Sequence, residues 1–120
     1  MKWFKKQKDS FGAAINGIAT SISHELHLKL HLLAVVFVTF FGFTFRISKT
    51  EWMFLILCIS CVIALEIVNS AIERLCDKVS KEKDPLIKLA KDMAAGSVLI
   101  AAISSVIIGC IIFIPKFMAL

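Results

Sequence analysis

The chain has 120 residues, is 58% hydrophobic, and carries a mean hydropathy of +0.85 with a formal net charge of +5. One small domain cannot hide so much apolar surface in its own core, and ordinary globular chains are only about 45–50% apolar. The bilayer is therefore its solvent, and the placement of the basic residues beside apolar segments argues against nucleic acid as a partner.

Residues 1–9, "MKWFKKQKD", read as a basic arm with Trp3 and Phe4 at the membrane interface. From Ser10 the pattern turns helical. Phe11, Ile15, Ile18, Ile22 and Leu26 fall at steps of four, three, four and four, with Ser10, Asn16, Thr20 and Ser23 between them. This stripe is too polar to span and predicts an amphipathic surface helix over about residues 10–25. A helical span needs roughly 20 mostly apolar residues. Three segments qualify, over about residues 28–46, 52–76 and 92–114, and the whole chain, 1–120, reads as one membrane domain. The fold class expected is all-α integral membrane, with three transmembrane helices and the N-terminal surface helix.

Charge sets the orientation. Lys2, Lys5, Lys6, Lys8 and Lys29 precede the first span, and Arg74, Lys78, Lys81, Lys83, Lys88 and Lys91 lie between the second and third. The opposite side holds only Arg46, Lys49 and Lys116. The positive-inside rule then places the N-terminus and the 74–92 loop in the cytoplasm. Cys58 and Cys61 form C-x-x-C inside a span and read as small apolar residues, because thiolates need a polar setting.

The second span ends in "ALEIVNSAIERLCD", residues 64–77. At about 100° per residue, Glu66, Asn69, Glu73 and Asp77 share a sector roughly 80° wide. One acidic stripe thus runs from inside the membrane to its surface. A carboxylate in hydrocarbon costs about 2.5–3.5 kcal/mol even on lenient scales, so a cation, a basic partner or a water-filled cleft must offset it. Glu25, in "SHELHLKLH", and Lys91 and Asp92, in "LAKDMAAGSV", stand at the matching level on the other helices. Carboxylates with a lysine suit Mg²⁺ and a phosphate, since Mg²⁺ takes one or two carboxylates plus substrate oxygens. His24, His27 and His31 are a rival metal set. "HELH" is not the H-E-x-x-H of zinc proteases, and the three read as interfacial histidines.

"EIVNSAIERLCD" followed by "AKDMAAGSVLI" closely resembles the prokaryotic diacylglycerol kinase family, small integral membrane lipid kinases that include undecaprenol kinases. The family pattern is E-x-x-N-[ST]-A-I-E-x-x-x-D and then A-K-D about a dozen residues on. "SFGAAING" and "HELHLKLHL" match more loosely. The resemblance implies a homotrimer with active sites shared between subunits, in a bacterial inner membrane. It implies ATP-dependent phosphorylation of a membrane lipid alcohol, diacylglycerol or undecaprenol, with Mg²⁺. By resemblance Glu66 is the catalytic base and Asn69 supports it, and Glu25 and Glu73 bind metal. Lys6, Glu25, Glu73, Glu82, Lys83, Asp84, Lys91 and Asp92 line the ATP site, and Asp77 completes the stripe. Lys6 stands where the family often has arginine, which loses a bidentate grip. "HELHLKLHL" and "DPLIKLAKDMAAG" look closer to the undecaprenol kinases. The alternatives are a small proton-coupled transporter using Glu66 and a non-catalytic subunit of a membrane complex.

Overall fold

The computed structural model describes residues 1–79 and 84–120. Four helices carry nearly all of them: α1 Lys2–His24, α2 Leu26–Thr44, α3 Lys49–Val79 and α4 Pro85–Met118. No strand occurs among the described residues. The helices α2, α3 and α4 are each long and apolar enough to cross a membrane. With 31 and 34 residues, α3 and α4 outrun a hydrocarbon layer about 30 Å thick. Glu73, Asp77, Lys91 and Asp92 sit at one shared end of α3 and α4, where the surplus length lets charge extend past the acyl chains.

The N-terminal arm departs from expectation: residues 2–9 are helical and continue the surface helix. Lysine and glutamine are good helix formers, and no Gly or Pro interrupts the segment. Phe4, Phe11, Ile15 and Ile18 lie exposed along α1, and none of its residues is buried. Such an exposed apolar face suits a helix lying on a lipid surface. At Glu25 the backbone turns extended, with φ −102° and ψ 115°, and that single residue separates α1 from α2.

The turn between α2 and α3 is closed by a capping box. The Ser48 Oγ accepts from the Glu51 N–H at 3.2 Å, and Glu51 Oε1 accepts from the Ser48 N–H at 3.0 Å. At the start of α4, Asp84 Oδ1 accepts from the Leu86 N–H at 2.9 Å, and Pro85 takes the first helical position, where its missing N–H costs nothing.

A cluster of buried apolar side chains lies at the end of the bundle near the α2–α3 turn. Ile47, Leu55 and Ile112 form its core, with Phe45, Trp52 and Phe113 against them. Lys116 Nζ reaches Glu51 Oε2 at 2.7 Å and ties the end of α4 to the start of α3. Gly42 is buried here because the Trp52 indole occupies the space of a side chain. A Cβ on Gly42 would fall 2.6 Å from Trp52 Cη2 and 2.8 Å from Cζ2. Gly42→Ala gains about 1 kcal/mol of helix propensity but overpacks at a cost of about 1–3 kcal/mol. The variant is expected to melt below the parent by up to about 2 kcal/mol in detergent, followed by circular dichroism.

Candidate active site

The frame of the site is α3. Its buried positions are Leu55, Val62, Glu66 and Ser70, at intervals of seven, four and four that keep them on one side of the helix. The acidic stripe shares this face, so it points at the neighbouring helices rather than at lipid. Glu66 is only 9% exposed. Its Oε1 lies 3.0 Å from Nε2 of His31 on α2.

One turn further on, Asn69 Nδ2 donates to Glu73 Oε1 at 3.4 Å. Asn69 was expected to support Glu66; instead it faces Glu73. Helical side chains lean toward the N-terminus of their helix, so Glu73 leans toward Asn69 while Glu66 leans away from it. The Asn69 Oδ1 is buried and has no partner among the described residues. At the exposed end of the stripe, Asp77 Oδ1 accepts from Lys91 Nζ at 2.8 Å, which links α3 to α4.

Glu25 is half-buried at the break between α1 and α2. Its Oε1 meets Arg74 Nη2 at 3.5 Å, next to Glu73 in sequence. The structure thus ties Glu25 to α3 beside the position of Glu73, through Arg74 and not through Glu73 itself. Among the described residues no group of three His, Cys, Asp or Glu gathers as a protein-only metal site.

The remaining expected residues are more scattered. Asp92 is exposed and pairs with Lys88 at 2.8 Å along α4. Asp84 serves as the N-cap of α4. Lys6 borders a shallow surface depression on α1 with Lys2, Lys5 and Asp9. No ion pair among the described residues joins Lys6 to the stripe. Glu82 and Lys83 lie outside the described residues. The cysteines are free thiols.

Sequence reasoning missed His31 and Arg74 as partners of Glu66 and Glu25. It had placed His31 with His24 and His27 at the interface, whereas the structure puts it against the deepest acid of the bundle. His31 also closes one end of an apolar cleft of about 270 Å³ between α2, α3 and α4. The cleft passes Val38, Val62 and Val106 and has Phe113 in its lining.

A sequence model described as prokaryotic diacylglycerol kinase matches residues 12–113. The chain is 40% identical to an undecaprenol kinase from Bacillus subtilis over 89% of this chain and 87% of that one. It is 36% identical to a diacylglycerol kinase from Haemophilus influenzae over 78% and 75% of the two chains. A diacylglycerol kinase from Escherichia coli is 30% identical over 88% and 87%. These matches lend no support to a proton-coupled transporter. An acid stripe enclosed by three membrane-length helices, with a family match running through nearly all of it, establishes that the chain belongs to the prokaryotic diacylglycerol kinase family.

Proposed function

We propose that the protein transfers the γ-phosphoryl group of ATP to the primary hydroxyl of a membrane lipid, and that this lipid is a polyprenol of the undecaprenol type. The observation that carries the kinase reading is the α3 stripe. Its deepest member, Glu66, is buried beside an apolar cleft, and its outermost, Asp77, holds a lysine beyond the hydrocarbon. A lipid hydroxyl can meet one end of such a stripe and a nucleotide the other. Glu66 accepts the hydroxyl proton as the lipid oxygen bonds to the γ-phosphorus and the bond from that phosphorus to ADP breaks. Catalysis of this transfer is mostly positioning and charge neutralisation.

The residues present fit Mg²⁺. Glu73 has no cationic partner within ion-pair distance among the described residues. The Asn69 Oδ1 beside it is a buried oxygen without a donor. Both are hard oxygen ligands of the kind the ion prefers. Glu73 and Glu25 would hold the ion, which supplies positive charge against the phosphate oxygens. Asp77 fixes the Lys91 ammonium for the nucleotide, and Asp92 lies on the next residue of α4. We further propose a homotrimer in a bacterial inner membrane, with the N-terminus and the α3–α4 turn in the cytoplasm. A site shared between subunits accounts for Lys6 lying apart from the stripe.

The polyprenol assignment is supported by identity: 40% to a protein named undecaprenol kinase, against 36% and 30% to two named diacylglycerol kinases. The test gives purified protein ATP–Mg²⁺ with undecaprenol and with diacylglycerol side by side. Undecaprenol is expected to be phosphorylated faster by at least about tenfold in kcat/KM. Equal or reversed rates would overturn the acceptor assignment, and no product from either lipid would overturn the kinase reading.

A further inference from the structure

We infer that His31 is a positioning residue for the reaction: its ring nitrogen holds one oxygen of Glu66 and leaves the other aimed at the lipid hydroxyl. The inference rests on the reading of Glu66 as the base. The contact is 3.0 Å from Nε2 to Oε1. An ionised carboxylate only accepts hydrogen bonds, so the nitrogen facing it carries the proton and donates. Glu66 comes from α3 and His31 from α2, so the bond also crosses between two helices.

The surroundings give the bond its purpose. The Glu66 side chain is 11% exposed and that of His31 31%. The imidazole lines the apolar cleft, and its contact with Glu66 joins the carboxylate to that cleft. A lipid chain in the cleft therefore meets His31 at the polar end. No other hydrogen-bond partner of the Glu66 side chain is found among the described residues, and Asn69 is turned to Glu73. Without His31 the carboxylate is free to rotate about its own side-chain torsions. A base must come within hydrogen-bond reach of the proton that it takes, so loss of orientation lowers the rate of the step rather than the affinity for the chain.

The test uses full-length protein in detergent micelles with ATP–Mg²⁺ and the lipid it phosphorylates. A hydrogen bond to a charged group predicts that His31→Ala lowers kcat by about 10- to 100-fold. The lipid KM is expected to stay within about threefold, because the apolar lining still holds the chain. His31→Gln places an amide N–H near the original Nε2 and is expected to recover most of the loss. In a Glu66→Asp background, whose shorter side chain already forfeits the contact, His31→Ala is expected to cost little more, the sign of two residues acting as one unit. Retention volume and circular dichroism establish folding, and His31→Leu replaces His31→Ala should the latter not fold. Unchanged kcat, a Gln variant as impaired as the Ala one, or a loss confined to lipid KM would each overturn the role of His31. Full turnover by Glu66→Gln would instead overturn the assignment of the base, a separate failure.

Discussion

Glu66→Gln is expected to abolish phosphate transfer while leaving a folded membrane protein. Glutamine keeps the shape of the side chain, and its carbonyl oxygen still accepts the hydrogen bond from His31, so the α2–α3 contact at this depth survives. What it loses is a site for the hydroxyl proton. General base catalysis contributes about 10²–10⁴-fold, and turnover is expected to fall by that factor or more. The fold is expected to lose nothing, since a charge in a nearly buried site is replaced by a neutral group of the same size. The measurement is the initial rate of transfer of labelled phosphate from ATP to lipid, with the melting curve recorded in parallel. Retained turnover at a normal melting temperature would remove Glu66 from the chemistry.

Most of the helical architecture can be read from composition and periodicity, because a bilayer imposes length and apolarity on anything that crosses it. The acid stripe is equally legible: its 3.6-residue spacing puts Glu66, Asn69, Glu73 and Asp77 on one face whatever the tertiary fold. Partners across helices demand one more step. In an antiparallel hairpin both helices rise at the same rate, so residues equally far from the turn sit at one depth. His31 and Glu66 lie 13 and 17 residues from the helix ends at the α2–α3 turn, and Glu25 and Arg74 lie 19 and 25, so both pairs meet off the mirror position. Asp77 and Lys91 lie two and six residues from the helix ends at the α3–α4 turn, and Glu51 and Lys116 lie 28 and 31. The positions of the turns bring each pair to within one or two helical turns in depth, and no closer. The side-chain rotamers are not fixed by spacing, and the contact of Asn69 with Glu73 is one outcome of them. Nor does spacing distinguish the capping role of Asp84 from a nucleotide role, since an exposed Asp before Pro85 serves either purpose.

Glu73→Gln is expected to separate activity from stability, moving the two in opposite directions. Glu73 sits seven residues from Glu66 and four from Asp77 on the same face; among the described residues it has no ion pair, and Lys91, held by Asp77, attracts it only from beyond that distance. Like charges one turn apart on a helix cost about 0.2–0.5 kcal/mol. Neutralising Glu73 therefore favours the metal-free protein by a few tenths of a kcal/mol, a small rise in melting temperature without Mg²⁺. Activity is expected to fall. Even residues that merely brace a ligand cost about 10–100-fold in metal affinity when altered, so losing a carboxylate ligand should raise the half-saturating Mg²⁺ concentration by at least that factor. A Mg²⁺ titration of the kinase rate at saturating ATP and lipid reads this directly, and excess Mg²⁺ should restore part of the turnover. The stabilising effect of Mg²⁺–ATP on the parent should shrink in the variant as well, because a ligand stabilises only in proportion to its affinity. A variant with lower turnover but the parent's Mg²⁺ dependence would show that Glu73 does not hold the ion. The unpaired Asn69 Oδ1 would then be a place for a hydrogen-bond donor such as water, not for the ion.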